Sequence, residues 1–364
     1  MIVRRSHLKG VGVRIAVHRQ PLRLTETFTI ARTSVDVEEV CVVTLDHAGI
    51  TAYGEGAPVD YWGESTATIQ AAIDSDAVSL IGDDPLAVEQ IGRRLADWDG
   101  PQGAKMALDG ALHDYLGKYC GQPLWRMFGL GPVTPPTSFT IGISDLADTV
   151  GKVRRAPGDF QVFKVKVGGP GDLQRLEAIR SVTDARLRID GNEGWTLEVA
   201  RELTPRLLQL GIEFVEQPFP ADDLDSYHAY RELTDRLPVL IDEGCRGLAS
   251  VEPISRYADG IVIKLSKSGG LREAHRMIHT ARALGLQIMI GCMIESQLGI
   301  SQGAQLAPLV DHVDLDGHLL IRDEPFVGLG LRDGCLTLSA APGLGVVPSI
   351  GGGEAAPETT GGLR

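Results

Sequence analysis

The sequence predicts an α/β protein: a closed parallel barrel of βα units, preceded by a smaller α+β unit. Three observations predict it. Six charged residues recur at nearly one interval, since Lys166, Asp190, Glu216, Asp242, Lys264 and Asp316 stand 24, 26, 26, 22 and 52 residues apart, the last step being two of the same unit. Five of the six close a short run that is mostly apolar or β-branched, such as FKVK, LRID or IVIK, as a strand does. A repeat of about 25 residues with a charge at each strand end is what a barrel gives when its strand ends face one mouth. Second, strand-like and helix-like runs alternate from residue 138 onward. Third, the chain before residue 125 reads as strands followed by a helix, the order of a separate α+β unit.

The elements follow in order. VGVRIAVHR alternates apolar and polar positions, and EEVCVVTLDHAGITAYGEGAP reads as a hairpin turning at His47 to Gly49. In PQGAKMALDGALHDYLGKYCGQPL, residues Met106, Ala107, Ala111, Leu112 and Tyr115 recur at helical spacing, and Gly121 and Pro123 punctuate the end. Eight strand-like runs come next: TSFTIGI, FQVFKVKV, ARLRID, IEFVEQ, PVLIDE, GIVIKL, QIMIGCM and HVDLDG. Seven helix-like runs separate them, from DLADTVGKVRR to LGISQGAQLAPLV. An open doubly wound sheet has the same alternation, but it gathers ligands at one crevice and would not draw charges from six strand ends. The expected division is a capping unit over 1–125, the barrel over 126–320, a Gly-rich segment over 321–349 that returns to the cap, and a disordered tail over 350–364.

Composition narrows the function. The chain has 364 residues, 43% hydrophobic and 23% charged, with a net charge of −13. That balance argues against nucleic acid and anionic membrane, which need clustered Lys and Arg. Five scattered cysteines with no CxxC spacing indicate neither a disulfide framework nor a zinc site, so reduced thiols in a cytoplasmic protein fit best. No apolar h-region opens the chain, and no run approaches the roughly 20 apolar residues that span a bilayer.

The charges imply chemistry. Asp190, Glu216 and Asp242 at successive strand ends would crowd three carboxylates into one mouth, and uncompensated burial of that charge is costly. Each could instead cap the following helix, but three in register weaken that reading. A hard divalent cation resolves the repulsion; three carboxylates without His suit Mg²⁺ or Mn²⁺. Lys164 and Lys166 are two apart, so both face inward on a strand. Lys264 stands about four strands round the barrel. Two lysines flanking a metal-held substrate can take a proton from one face and return it to the other. A neighbouring cation is expected to favour their neutral form. The plainer alternative is that the lysines only neutralise the carboxylates. Ser266 and Ser268 lack a His–Asp pair, GGPG and GLG lack phosphate-loop context, and the helix-borne His228, His275 and His279 read as surface or satisfied core residues.

KVKVG, DGNEGW, EQP, DE at 242–243 and IKLSKSGGL, together with YGEGAP and the ALDGALHDYLGKYCGQPL helix, resemble the muconate-lactonising subgroup of the enolase superfamily over nearly the whole chain. The resemblance implies a modified TIM barrel, (β/α)7β, with an α+β cap. It implies Mg²⁺ held by Asp190, Glu216 and Asp242, opposed bases Lys166 and Lys264, and Lys164 on the substrate carboxylate. The implied reaction removes a proton α to a carboxylate through a metal-stabilised enediolate; such a lysine base with Mg²⁺ is a known pattern of enolase-type sites. Asp314 and Asp316 in HVDLDG resemble the DxD pair with which dipeptide epimerases bind the substrate α-ammonium. GCMIES resembles the segment whose main chain, Cys292, Met293 and Ile294, lines the dipeptide. Thr140 and Arg32 match positions near the substrate side chain, and Asp36, Glu38 and Glu39 follow the loop that sets specificity. The expectation is a Mg²⁺-dependent dipeptide epimerase acting as a homo-oligomer. An N-acylamino acid racemase, an o-succinylbenzoate synthase or a cycloisomerase is the alternative within the superfamily. A non-catalytic metal-binding barrel is the alternative outside it. A mandelate-racemase-like enzyme is disfavoured because Lys264 stands where a His–Asp dyad would supply the second base.

Overall fold

The computed structural model describes residues 12–30, 33–156 and 160–349. The tail at 350–364, expected to be disordered, lies outside the described residues. Strands β1 (Arg14–Thr29), β2 (Ser34–His47) and β3 (Ile50–Gly56) form an antiparallel sheet. Between β2 and β3, Ala48 and Gly49 have φ of 50° and 79°. Both are positive, as a two-residue type I′ hairpin turn requires, and the turn falls where the sequence places it.

Helices α1 (Thr66–Ile81) and α3 (Gln102–Cys120) cover that sheet, and α2 (Val88–Asp97) packs on both of them. α1 and α2 are elements the sequence reading does not anticipate, although Ile69, Ile73, Ala77 and Ile81 recur every fourth residue on α1's buried face. α1 opens with a reciprocal capping box between Ser65 and Thr68. α3 ends where expected, with Gly121 left-handed at φ 63°. It lies so close to β3 that a Cβ on Gly54 would run into the carbonyl oxygen of Ala107 and the amide nitrogen of Ala111. Gly54→Ala is therefore expected to cost about 3 kcal/mol of stability, at the upper end of overpacking penalties. Urea denaturation monitored by circular dichroism would read the loss, and an unchanged midpoint would refute this packing argument.

Short helix α4 (Leu124–Met127) and strand β4 (Val133–Pro136) lead into the barrel. Its strands are β5 (Phe139–Ile141), β6 (Val162–Lys166), β7 (Arg186–Asp190), β8 (Ile212–Glu216), β9 (Val239–Ile241), β10 (Gly260–Lys264), β11 (Gln287–Gly291) and β12 (His312–Asp314). They form one parallel sheet in sequence order. Thr137 bridges Val313, and the Ser138 amide donates to the Val313 carbonyl at 3.0 Å, which brings the first strand back to the last. All eight strand-like runs of the sequence are strands here. The connecting helices are α5 (Leu146–Arg155), α6 (Asp172–Arg180), α7 (Leu197–Gln209), α8 (Leu224–Arg231), α9 (Leu248–Ile254), α10 (Leu265–Ser268), α11 (Leu271–Ala283) and α12 (Gln297–Ala304).

Strand alternation sorts the side chains. Ile189, Val215, Ile241, Ile263 and Ile290 face the helices in the main core, while Phe214, Leu240, Val262 and Met289 form a separate cluster inside the barrel. Arg188 joins that inner layer, 1% exposed, donating to Glu213, the Ser138 hydroxyl and the Val313 carbonyl. Two residues past Arg188, Phe214, Leu240 and Val262, the inward position carries Asp190, Glu216, Asp242 and Lys264, while two past Met289 stands Gly291. One layer of plugging side chains thus sits beneath one layer of charge.

Beyond the barrel, β13 (Phe326–Val327) pairs with β16 (Val347–Pro348), and β14 (Gly330–Arg332) and β15 (Cys335–Thr337) join β4. The Leu124 amide donates to the Gly343 carbonyl at 2.9 Å, and the Leu344 amide donates to Asp114 Oδ1 at 2.8 Å. These bonds tie the C-terminal segment to α3 and α4.

Candidate active site

The barrel register sets the charges side by side. Lys166 pairs with Asp190 across β6 and β7, and Asp190 with Glu216 across β7 and β8. On the other side, Lys264 pairs with Gly291 and Gly291 with Asp314. Asp242 follows directly on β9. Gln217 fixes the level of these ends, since its Oε1 accepts from the Asp242 amide at 2.9 Å and its Nε2 donates to the Phe219 carbonyl at 3.0 Å. Its backbone is left-handed at φ 36°, as it is at Asn192 and Glu193, at φ 41° and 66°. Such conformations persist only where surrounding bonds hold them, and they gather at functional sites.

All of these charges are buried. Lys166 Nζ lies 2.6 Å from Asp190 Oδ2, and Lys264 Nζ lies 2.8 Å from Asp242 Oδ2. Lys164 Nζ sits among three carboxylates, 3.1 Å from Asp190, 2.6 Å from Glu216 and 2.7 Å from Asp314. Burial alone would lower the Lys164 pKa, but Asp314, Glu216 and Asp190 outweigh it and hold the ammonium well above the ordinary lysine value. Lys264 is likewise raised, with Asp242 overcoming its burial. For Lys164 and Lys264 the nearest charged neighbours are carboxylates, which favour the ammonium; the neutral base is expected beside a cation. The plainer reading of the lysines as ion-pair partners is realised here. It does not exclude the other, because the same contacts place each amine at the mouth.

Whether the residues fit a divalent cation can be judged from the carboxylates. Asp190 is held well below the carboxylate range, against its burial, by Lys166 and Lys164. Lys264 and Lys267 do the same for Asp242. Glu216 is the exception: burial and then Asp190 push its pKa up to about 8. Neither of its oxygens receives a well-formed hydrogen bond. Among the described residues no three of His, Cys, Asp and Glu converge on one point; Asp190, Glu216 and Asp242 are each paired with a lysine instead. Three carboxylates on adjacent strand ends, one of them under-compensated, have the donor chemistry of a hard-cation site. A divalent ion there would satisfy Glu216 and release the lysines from their pairs.

A cavity of about 170 Å³ opens over this layer. It is lined by Lys164, Lys166, Asp242, Lys264, Asp314 and Asp316, and by Thr140, Cys292, Met293 and Ile294. These are expected residues, brought together. Arg32 lies outside the described residues. One detail differs from the sequence expectation. β12 ends at Asp314, and Asp316 opens the short 3-10 turn Gly317–Leu320 instead of continuing the strand. The two carboxylates still share the cavity. Asp316 Oδ2 accepts from the Thr140 amide at 2.6 Å, while Asp314 is engaged by Lys164. Burial and then Asp314 raise the Asp316 pKa to about 7.

The cavity also brings in residues to which the sequence gives no role. The cap contributes Phe28, Val35, Asp60 and Tyr61. Lys267, 1% exposed, pairs with Asp242 from α10. Its place in the KLSKS run was the available signal, since a lysine three residues past Lys264 falls on the first helical turn beyond the strand. From β3, the fully buried Glu55 accepts from the Ser296 amide at 2.9 Å and from its hydroxyl. That contact pins the segment carrying Met293 and Ile294.

A parallel barrel with a charged mouth and an antiparallel cap leaning over it is the architecture of enolase-type enzymes. The sequence matches the Mandelate racemase / muconate lactonizing enzyme N-terminal domain over residues 12–129 and the Enolase C-terminal domain-like family over residues 145–350. The chain belongs to this family, in the muconate-lactonising subgroup of the enolase superfamily, and is an isomerase. It is 37% identical to an L-Ala-D/L-Glu epimerase of Bacteroides thetaiotaomicron, covering 93% of this chain and 89% of that one. It is 31% identical to an N-succinyl-L-Arg/Lys racemase of Bacillus cereus, over 90% of this chain and 94% of that one. Among solved structures, a dipeptide epimerase of Methylococcus capsulatus complexed with Mg and L-Arg-D-Lys superposes with a TM-score of 0.86 at 31% identity, covering 93% of this chain and 99% of that one.

Proposed function

We propose that this chain is a Mg²⁺-dependent dipeptide epimerase that inverts the carbon α to the substrate carboxylate. The observation that carries the reading is the pair Lys166 and Lys264, four strands apart in the sheet order, facing one cavity from opposite sides. Asp190, Glu216 and Asp242 would hold the metal, which supplies Lewis-acid withdrawal of charge from the substrate carboxylate. Lys164 lies beside Asp190 and Glu216 and adds a fixed positive charge there. One of the two flanking lysines, neutral, takes the α-proton onto its Nζ; the other, as an ammonium, returns a proton to the opposite face. The configuration inverts, and the protonation states of the two lysines exchange. Asp314 and Asp316 receive the α-ammonium, and Thr140 holds Asp316 in place. The likeness to epimerases of several dipeptides supports this reading.

The test is α-proton exchange in D₂O across a panel of dipeptides that includes L-Ala-L-Glu, with and without Mg²⁺. Incorporation of one deuterium with inversion is expected only with the metal. Removing the metal with a chelator should abolish turnover, and added Mg²⁺ should restore it. Exchange undiminished after chelation would sink the metal's part in the proposal. Racemisation of N-acylated amino acids is the second reading, favoured by the relative that acts on N-succinyl-L-Arg/Lys. It predicts exchange on N-succinyl substrates and none on dipeptides. Cytoplasmic location and a symmetric homo-oligomer belong to the same proposal; among the described residues no helix is long and apolar enough to cross a membrane.

A further inference from the structure

On the outer wall of the barrel, α11 carries two histidines four residues apart, His275 and His279, which share one helix face. Their Nε2 atoms lie 3.1 Å apart. Two imidazole nitrogens, each about 2.0–2.1 Å from a Zn²⁺, are separated by about 3.3 Å when tetrahedral and by about 2.9 Å when cis in a square plane. The observed separation falls between the two. The rings are also held: they meet edge to face with centroids 4.6 Å apart, and Phe128 packs on His275 at 5.2 Å.

We infer that His275 and His279 form a bidentate site for a borderline-soft divalent metal, such as Zn²⁺, Ni²⁺ or Cu²⁺, distinct from the hard-cation mouth of the barrel. Imidazole selects such ions, whereas carboxylates suit Mg²⁺. The nearby arginines are engaged by carboxylates: Arg276 pairs with Glu273 at 2.8 Å, and Glu89 is shared by Arg272 at 2.7 Å and Arg93 at 3.2 Å, so part of the local positive charge is offset. Burial and then His279 and His113 lower the His275 pKa, which keeps its ring in the neutral, metal-binding form. Among the described residues no third His, Cys, Asp or Glu joins the pair, so water or a small ligand completes the coordination.

The probe is Cu²⁺ held by iminodiacetate, whose chelator blocks entry to a carboxylate site and leaves positions for an imidazole pair. Calorimetry on the full chain with Mg²⁺ in excess should give one site per chain. His275→Ala and His279→Ala should each weaken it by about a hundredfold, the gain that chelation by a second linked ligand provides. Epimerase turnover and far-ultraviolet circular dichroism should be unchanged in His279→Ala, which separates loss of the site from loss of the fold. Binding in the wild type no tighter than in either single variant would overturn the inference. So would tight binding that survives both substitutions.

Discussion

Lys166→Ala and Lys264→Ala are each expected to abolish epimerisation, with a loss of about 10³-fold or more, since a positioned acid–base group contributes about 10²–10⁴-fold. The two variants should not be silent in the same way. Each keeps the lysine on one face, so each should still exchange the α-proton of the epimer whose C–H points at that lysine. It should return deuterium to the same face, without inversion. The variants should therefore be mirror images: one washes deuterium into the substrate epimer, the other into the product epimer. Mass spectrometry and polarimetry of the same D₂O reactions separate exchange from inversion. A single variant that inverts dipeptides at the wild-type rate would remove that lysine from the mechanism. Neither alanine leaves the other charges as they were: Asp190 loses one of two lysines and Asp242 one of two, so metal affinity should be measured alongside.

Asp316→Asn is expected to lower kcat/KM for dipeptides by about thirtyfold or more. Losing one partner of a buried charge pair costs about 2 kcal/mol or more, and each 1.4 kcal/mol or so is tenfold in rate. Asparagine keeps an oxygen for the Thr140 amide, so the turn should survive. The same substitution should spare an N-acylated substrate, which has no α-ammonium. The pH profile adds a second readout. The Asp316 pKa is raised to about 7 by burial and by Asp314. A carboxyl with a raised pKa is neutral below that value and pairs with an ammonium only above it. Dipeptide kcat/KM in the wild type should therefore fall as pH drops through about 7, and that limb should flatten in Asp316→Asn. Equal loss on dipeptide and N-acyl substrates would show that Asp316 serves the fold and not the ammonium.

Much of this site is legible in one dimension, because a barrel converts a repeat in sequence into a ring in space. Lys166, Asp190, Glu216 and Lys264 each end a strand and Asp242 directly follows one, so their spacing alone places them at one mouth. Lys164 is legible for the same reason, two residues below Lys166. Other parts of the site are not. Lys267 reaches Asp242 only because α10 starts immediately after Lys264 and turns the side chain back. Glu55 lies far from Ser296 in the chain, and only the closure of the cap on the barrel joins them. α1 and α2 carry no chemistry, and the only signal for α1 is the every-fourth-residue series Ile69, Ile73, Ala77 and Ile81.

The sequence by itself determined the barrel, the cap hairpin with its turn, the identity of the charged ring and the family, since each depends on local periodicity or on a motif whose parts lie within one strand and its loop. Tertiary structure alone decided which charges pair. Three-dimensional proximity put Lys164 among Asp190, Glu216 and Asp314 and left Glu216 under-compensated. It also ended β12 early and set Asp316 on a turn anchored by Thr140. Spacing fixes where a side chain starts. Burial and the competition among neighbouring charges for a few partners fix its ionisation, and both depend on residues that come together only when the barrel closes.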